Sequence, residues 1–178
     1  SEPEELEGWF VHEIVSRVLE ICRQKPQKMR NATDEAERIF EEQGPTIAAK
    51  FFLPGFDHLR AKVRNTTKET AKQILHIVEQ GGFGIESVEQ TYSQELPNFE
   101  YNLEGTPDLV LNSPLAVLDM KRGGINFRQG EIENGTSVQL AVYARLLATS
   151  DEQTFPPAGY FMLWPGQLIT AYSQAFPQ

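Results

Sequence analysis

The sequence predicts an α/β protein in which a helical N-terminal half precedes a small sheet with helices laid over it. Three observations carry that expectation. Apolar residues recur at helical spacing through the first half of the chain. After Gly81-Gly82 the texture changes to short apolar runs separated by Pro, Asn, Ser and Gly. A helical period then returns over residues 137–148, before one more apolar run.

Taken in order, Phe10, Val11, Ile14, Val15, Val18, Leu19 and Cys22 share one face and predict a first helix over 4–24. Thr33 reads as the N-cap of a second helix, with Asp34 and Glu35 in its first turn and a stop before Gly44. Pro54-Gly55 breaks the next apolar segment. Thr66 and Glu69 have capping-box spacing and predict a third helix, with Ala71, Ile74, Leu75 and Val78 on one face. Residues 85–92, 101–103, 109–111 and 115–120 read as strands, the last two closed into an antiparallel hairpin by Asn112-Ser113-Pro114. Residues 137–148 form a helix and 160–164 a final strand.

The length of 178 residues fits one domain, helical over about 4–80 with a sheet and helix over about 85–165. The chain opens close to its first helix and closes on Ala175-Phe176-Pro177-Gln178, which suggests a domain excised from a longer polypeptide. A composition 40% hydrophobic and 23% charged excludes disorder, collagen-like repeats and a coiled coil. The most apolar stretch, 158–164, is too short to span a bilayer, so no membrane partner is expected. No secretory leader pattern opens the sequence, and the expected setting is cytoplasmic. Cys22 is the only cysteine, which excludes an internal disulfide framework and a four-thiolate iron–sulfur cluster.

A net charge of −9 speaks against nucleic acid as a partner, but the charges are unevenly placed. Residues 45–80 reverse the sign, with 6 bases against 3 acids. Arg60, Lys62, Arg64, Lys68 and Lys72 fall within that stretch and read either as a solvated helical face or as a phosphate-contacting patch.

The chemistry concentrates in Glu104-Gly-Thr-Pro-Asp108, the hairpin, and Asp119-Met-Lys121. The hairpin brings both carboxylates toward one end. Two acids so placed repel unless one takes a proton or a cation sits between them, and hard oxygen ligands suit Mg²⁺ or Mn²⁺. Strand alternation puts Lys121 on the face of Asp119, where it can orient a water or stabilise a phosphate. Gln139 and Tyr143, four apart on the next helix, overhang that strand end. His12 lies among apolar residues on the first helix, where a hydrogen-bonded core position is the plainer reading. His58 and His76 have no partner pattern. Tyr143, Phe127 and Trp164 could stack on bases, although core packing is the expectation for each.

Gly8-Trp-Phe-Val-His12, Gly105-Thr-Pro-Asp108, Asp119-Met-Lys121 and Gln139-Leu-Ala-Val-Tyr143 occur in that order. Together they resemble the PD-(D/E)XK nuclease superfamily, in its RecB-like and AddB-like exonuclease branch, over roughly residues 8–165. The resemblance implies a restriction-endonuclease-like core, with a mixed four- to five-stranded sheet flanked by helices. It implies that His12, Asp108, Asp119 and the backbone carbonyl of Met120 bind Mg²⁺ or Mn²⁺. Lys121 matches the lysine that positions the attacking water, while Gln139 and Tyr143 match residues thought to orient the lysine and touch the strand. Arg60 to Lys72, Arg122 and Arg128 are the candidates for backbone contacts. Where the family often has an acid one helical turn after the histidine, this chain has Ser16. The expected function is a divalent-metal-dependent DNA nuclease of recombination or repair, acting on single strands or duplex ends and borne by a helicase domain or subunit. The alternatives are a catalytically weak nucleic-acid-binding module and a phosphodiesterase acting on RNA or small nucleotides.

Overall fold

The computed structural model describes residues 3–96, 100–148 and 154–177. Three long helices come first: α1 (Pro3–Gln24), α2 (Ala32–Ile47) and α3 (Asp57–Gln80), with 3₁₀ turns at Pro26–Asn31 and Ala49–Phe52. The strands β1 (Gly84–Val88), β2 (Tyr92–Glu95), β3 (Asn102–Gly105), β4 (Leu109–Asn112) and β5 (Ala116–Lys121) follow. Helices α4 (Ile125–Glu133) and α5 (Val138–Leu147) lead to β6 (Ala158–Met162) and β7 (Gln167–Thr170).

Five strands form one mixed sheet in the order β1-β4-β5-β6-β7, while β2 and β3 pair separately as an antiparallel ribbon. The pairing of β5 with β6 is parallel and the other pairs in the large sheet are antiparallel. A parallel pair needs a long crossover, which α4 and α5 supply. Both strands of that pair are buried almost throughout, as strands covered on both faces must be.

Alternation along β5 separates two cores. Leu118 and Met120 join the helices on one face, with Phe10, Ile14, Phe40, Ile74 and Leu75. Val117 points the other way, to Leu140, Tyr143, Tyr160 and Met162. Phe10 anchors the helical layer, stacked on Phe51 with centroids 5.3 Å apart and tilted against Phe40 at 5.1 Å.

Several boundaries differ from the expectation for physical reasons. Helix α2 begins after Asn31 rather than Thr33 and runs through Gly44. That glycine serves packing rather than termination, since a Cβ there would lie 2.6 Å from the Phe52 ring. Helix α3 begins at Asp57, so Thr66 is not a cap. The Thr66 and Thr67 hydroxyls instead donate back to the carbonyls of Lys62 and Val63, at 3.0 and 2.8 Å. The run expected as one strand over 85–92 breaks at Glu89, whose φ of 50° is left-handed. Helix α4 was not expected because it buries no residue and carries no apolar stripe. The short edge strand β7 was not expected either.

Candidate metal centre

Strand register assembles the acids. Leu109 of β4 lies opposite Leu118 of β5, so Asp108 and Asp119 face each other one residue further out. On the other side Val88 of β1 lies opposite Leu109, and the Glu89 N–H donates to the Asp108 carbonyl at 3.0 Å. Three carboxylates therefore stand in a row across three neighbouring strands. Holding a glutamate in left-handed backbone costs on the order of 1 kcal/mol, a strain that recurs at functional positions.

Helix α1 crosses this end of the sheet and delivers His12. Its Nε2 lies 3.1 Å from Asp108 Oδ1 and its Nδ1 3.4 Å from Glu89 Oε1. One turn later the Ser16 hydroxyl donates to the same Glu89 oxygen at 3.0 Å. The acid that the resemblance places on the helix is thus absent from α1, while Ser16 there holds a carboxylate supplied by β1. The sequence does not single out Glu89, because the apolar run over 85–92 places it in the middle of one strand. The signal that could have found it is a carboxylate closing an apolar alternation at the strand end that carries Asp108.

Asp119 is only 2% exposed. Its Oδ1 accepts from Gln139 Nε2 at 3.2 Å. Its Oδ2 forms an ion pair with Lys121 Nζ at 2.7 Å. Burial first, then the charge of Asp108, pushes the Asp119 carboxyl up to about 6, against the pull of Lys121 and His12. For His12, burial disfavours the imidazolium, but the hydrogen bond to Asp108 and the charges of Asp108, Glu89 and Asp119 outweigh it and raise its pKa. Burial and mutual repulsion of the acids thus favour uptake of a proton or a cation here.

This donor set fits a hard divalent cation. His12, Glu89 and Asp108 each offer a ligand atom, all within 4.8 Å of one another, while Asp119, next to Asp108 across the strand pair, lies outside that group and pairs with Lys121. Carboxylate oxygens suit Mg²⁺ and Mn²⁺, and one imidazole among them tilts the preference toward Mn²⁺. Met120 meets the site through its amide, which donates to Asp108 Oδ2 at 2.5 Å.

Helix α5 braces the acids from the opposite face. Ser137 caps it, its oxygen accepting from Leu140 N at 3.4 Å. Gln139 Nε2 also reaches the Tyr143 hydroxyl at 2.9 Å, and that hydroxyl donates to the Thr106 carbonyl at 3.1 Å. The chain of bonds ends on Asp119, not on Lys121 as the resemblance implies. Burial pushes the Tyr143 hydroxyl up to about 12, so it remains a donor. Gly105 admits this arrangement, since a Cβ there would lie 2.9 Å from the Tyr143 ring.

The other candidates divide. Arg60, Lys62, Arg64 and Lys68 are paired with Asp57, Glu7, Glu41 and Glu37, at 2.6, 2.8, 3.4 and 2.8 Å. Glu7 lies on α1, Glu37 and Glu41 on α2, and Asp57 on α3 itself. Such exposed pairs are worth little, so a phosphate could compete for the cations. Lys72 has no ion pair among the described residues and borders a surface cavity. Arg128 pairs with Glu131 at 2.6 Å, and Arg122 crosses Gly8 to donate to the Glu5 carbonyl. Core packing holds for Tyr143 but not for Phe127 and Trp164, which are 65% and 59% exposed.

Neither a protein-family model nor a curated protein matches the chain. Among the described residues no helix is long and apolar enough to cross a membrane.

Proposed function

We propose that this chain is a divalent-metal-dependent phosphodiesterase. Within that class, the reading we favour is a DNA nuclease of the RecB-like kind that its motifs resemble, working on single strands or duplex ends in recombination or repair. One observation carries the proposal: His12, Glu89, Asp108, Asp119 and Lys121, drawn from one helix and three strands, converge at a single strand end. The raised carboxyl of the buried Asp119, beside further acids and an imidazole, supports a functional site over a surface ion-pair cluster.

His12, Glu89, Asp108 and Asp119 would hold the cation, with the Met120 carbonyl as the further ligand the resemblance implies. A bound divalent ion supplies positive charge at a phosphodiester and lowers the pKa of water. Lys121, with its side chain 22% exposed at the rim, is placed to orient a water or pair with a phosphate oxygen. Gln139 and Tyr143 hold Asp119 in position, so the ligand geometry does not have to be rebuilt at each turnover. A helicase domain or subunit is a fitting partner, because a body of net charge −9 exerts little long-range attraction on DNA.

The test is an assay on labelled single-stranded, linear duplex and closed circular DNA, with RNA alongside, in Mg²⁺ or Mn²⁺ and beside Lys121→Ala. Metal-dependent cleavage lost in Lys121→Ala supports the reading, and a surviving circle makes the activity end-dependent. Absence of both cleavage and metal-induced stabilisation would sink it.

A further inference from the structure

Beside the metal centre, a cleft runs between α3 and the turn that joins β6 to β7. Trp164 stands on that turn, 59% exposed. A cavity of about 270 Å³ borders its side chain, lined also by Glu7, Gly8, Lys62, Thr66, Arg122 and Leu163. A second, of about 350 Å³, also borders Trp164 and is lined by Asn65, Thr66, Glu69, Thr70 and Gln73. Thr66, Leu163 and Trp164 border both, so the two spaces adjoin as one groove.

The groove adjoins the candidate active site. Arg122 follows Lys121 directly, the Leu163 N–H donates to the Lys121 carbonyl at 2.7 Å, and Gly8 lies one helical turn before His12. Its chemistry is that of a nucleotide site. An exposed indole offers a stacking face to any base. The Lys62 ammonium lies 5.9 Å from the ring centroid, and Arg122 stretches across Gly8, where a Cβ would strike its Cδ. Both cations are only loosely committed. Lys62 pairs with Glu7 at 2.8 Å, with its own side chain 48% exposed, and one Arg122 nitrogen donates to a main-chain carbonyl. In the second cavity Gln73 lines the wall against Gly166, where a Cβ would meet its Oε1.

We propose that this cleft binds one nucleotide of a single DNA strand, its base stacked on Trp164 and its phosphate held by Arg122 and Lys62, next to the phosphodiester at the metal centre. The inference rests on the nuclease reading and adds to it a strand path and a preference for unpaired DNA, since a base inside a duplex cannot reach the indole. The fit of a base to an aromatic platform is sequence-tolerant, so no base preference follows from stacking alone.

The test measures anisotropy of a fluorescein-labelled oligothymidylate, in EDTA so that hydrolysis cannot interfere, for the wild-type chain, Trp164→Ala, Trp164→Phe and Arg122→Ala. Loss of one stacked base weakens binding about tenfold. The expected result is that loss in Trp164→Ala, a smaller one in Trp164→Phe, and a shallower salt dependence in Arg122→Ala. Indole emission read in a Trp9→Phe background should be quenched by the oligonucleotide. All variants should keep the wild-type melting temperature and its rise with Mn²⁺, because Trp164 is exposed and outside the ligand set. Wild-type affinity in Trp164→Ala, with cleavage intact, overturns the subsite and leaves the nuclease reading standing. No binding and no cleavage by the wild-type chain overturns both.

Discussion

His12 and Glu89 face each other across 3.4 Å, the imidazole on the first helix and the carboxylate at the end of the first strand. Asp108 approaches the other imidazole nitrogen at 3.1 Å, so one ring ties the helical layer to two strands. A cation taking these donors should therefore stabilise the whole fold and not merely the loops around it.

Mn²⁺ at about 100 times its Kd should add about 2.7 kcal/mol, roughly 5–10 °C in melting temperature for a chain of this size. Glu89→Gln keeps the shape and loses the charge. It should weaken Mn²⁺ by at least the roughly 10–100-fold that even outer partners of a metal ligand command. Differential scanning fluorimetry across a Mn²⁺ titration checks both, and an unchanged titration curve for Glu89→Gln would remove this residue from the ligand set.

Asp119 gives a prediction with a sign that looks odd at first. Its folded pKa, about 6, lies above the ordinary 3.8, so the metal-free fold favours the protonated acid. That contribution is fully present below pH 4 and is lost as pH rises through 6. Asp119→Asn cannot ionise and should be the more stable protein in EDTA at pH 7, by on the order of 1–2 kcal/mol, with the gain fading toward pH 4. The same variant should show no Mn²⁺-induced rise. Urea melts at three pH values, with and without EDTA, decide it.

Lys121→Ala separates chemistry from binding. Cleavage should fall by about 10²–10⁴, the range that a positioned proton-transfer group commands. The Mn²⁺-dependent melting shift should persist, because the carboxylates and His12 remain. A lost melting shift would instead make Lys121 part of the scaffold that holds Asp119.

Tyr143→Phe removes the hydroxyl that joins Gln139 to the Thr106 carbonyl, at 2.9 and 3.1 Å. It should cost about 1 kcal/mol of stability and lower turnover without altering metal affinity greatly. Gly105→Ala should mimic it by crowding the ring from 2.9 Å. Single-turnover rates beside thermal melts distinguish this positioning role from simple unfolding.

Much of the fold was legible because its signals are local. The apolar stripe of α1, the hairpin of β4 and β5, and the amphipathic α5 all follow from spacing along the chain. Asp108, Asp119, Lys121, Gln139 and Tyr143 were legible for the same reason: a hairpin register and a helical turn bring them together. Glu89 was not, because it enters through the pairing of β1 with β4, a contact between distant segments that depends on a backbone break at Glu89 itself. The ion pairs of the basic stretch were not legible for a related reason. Lys68 and Arg64 look free along the sequence, while Glu37 and Glu41 meet them only once α2 packs on α3. Helix α4, with nothing buried, left no hydrophobic trace to read.

The parallel pairing of β5 with β6 has a consequence for the birth of the protein. The helical layer, complete by Gln80, emerges from the ribosome first, and it carries a histidine with no carboxylate partner from the sheet. Glu89, Asp108 and Asp119 come next, but the brace on Asp119 waits for Gln139, and the strand beside it for Ala158–Met162. A nascent or truncated chain therefore holds an incomplete set of donors. If the proposed centre is active, assembly from both halves of the polypeptide would withhold that activity until the chain that can restrain it exists.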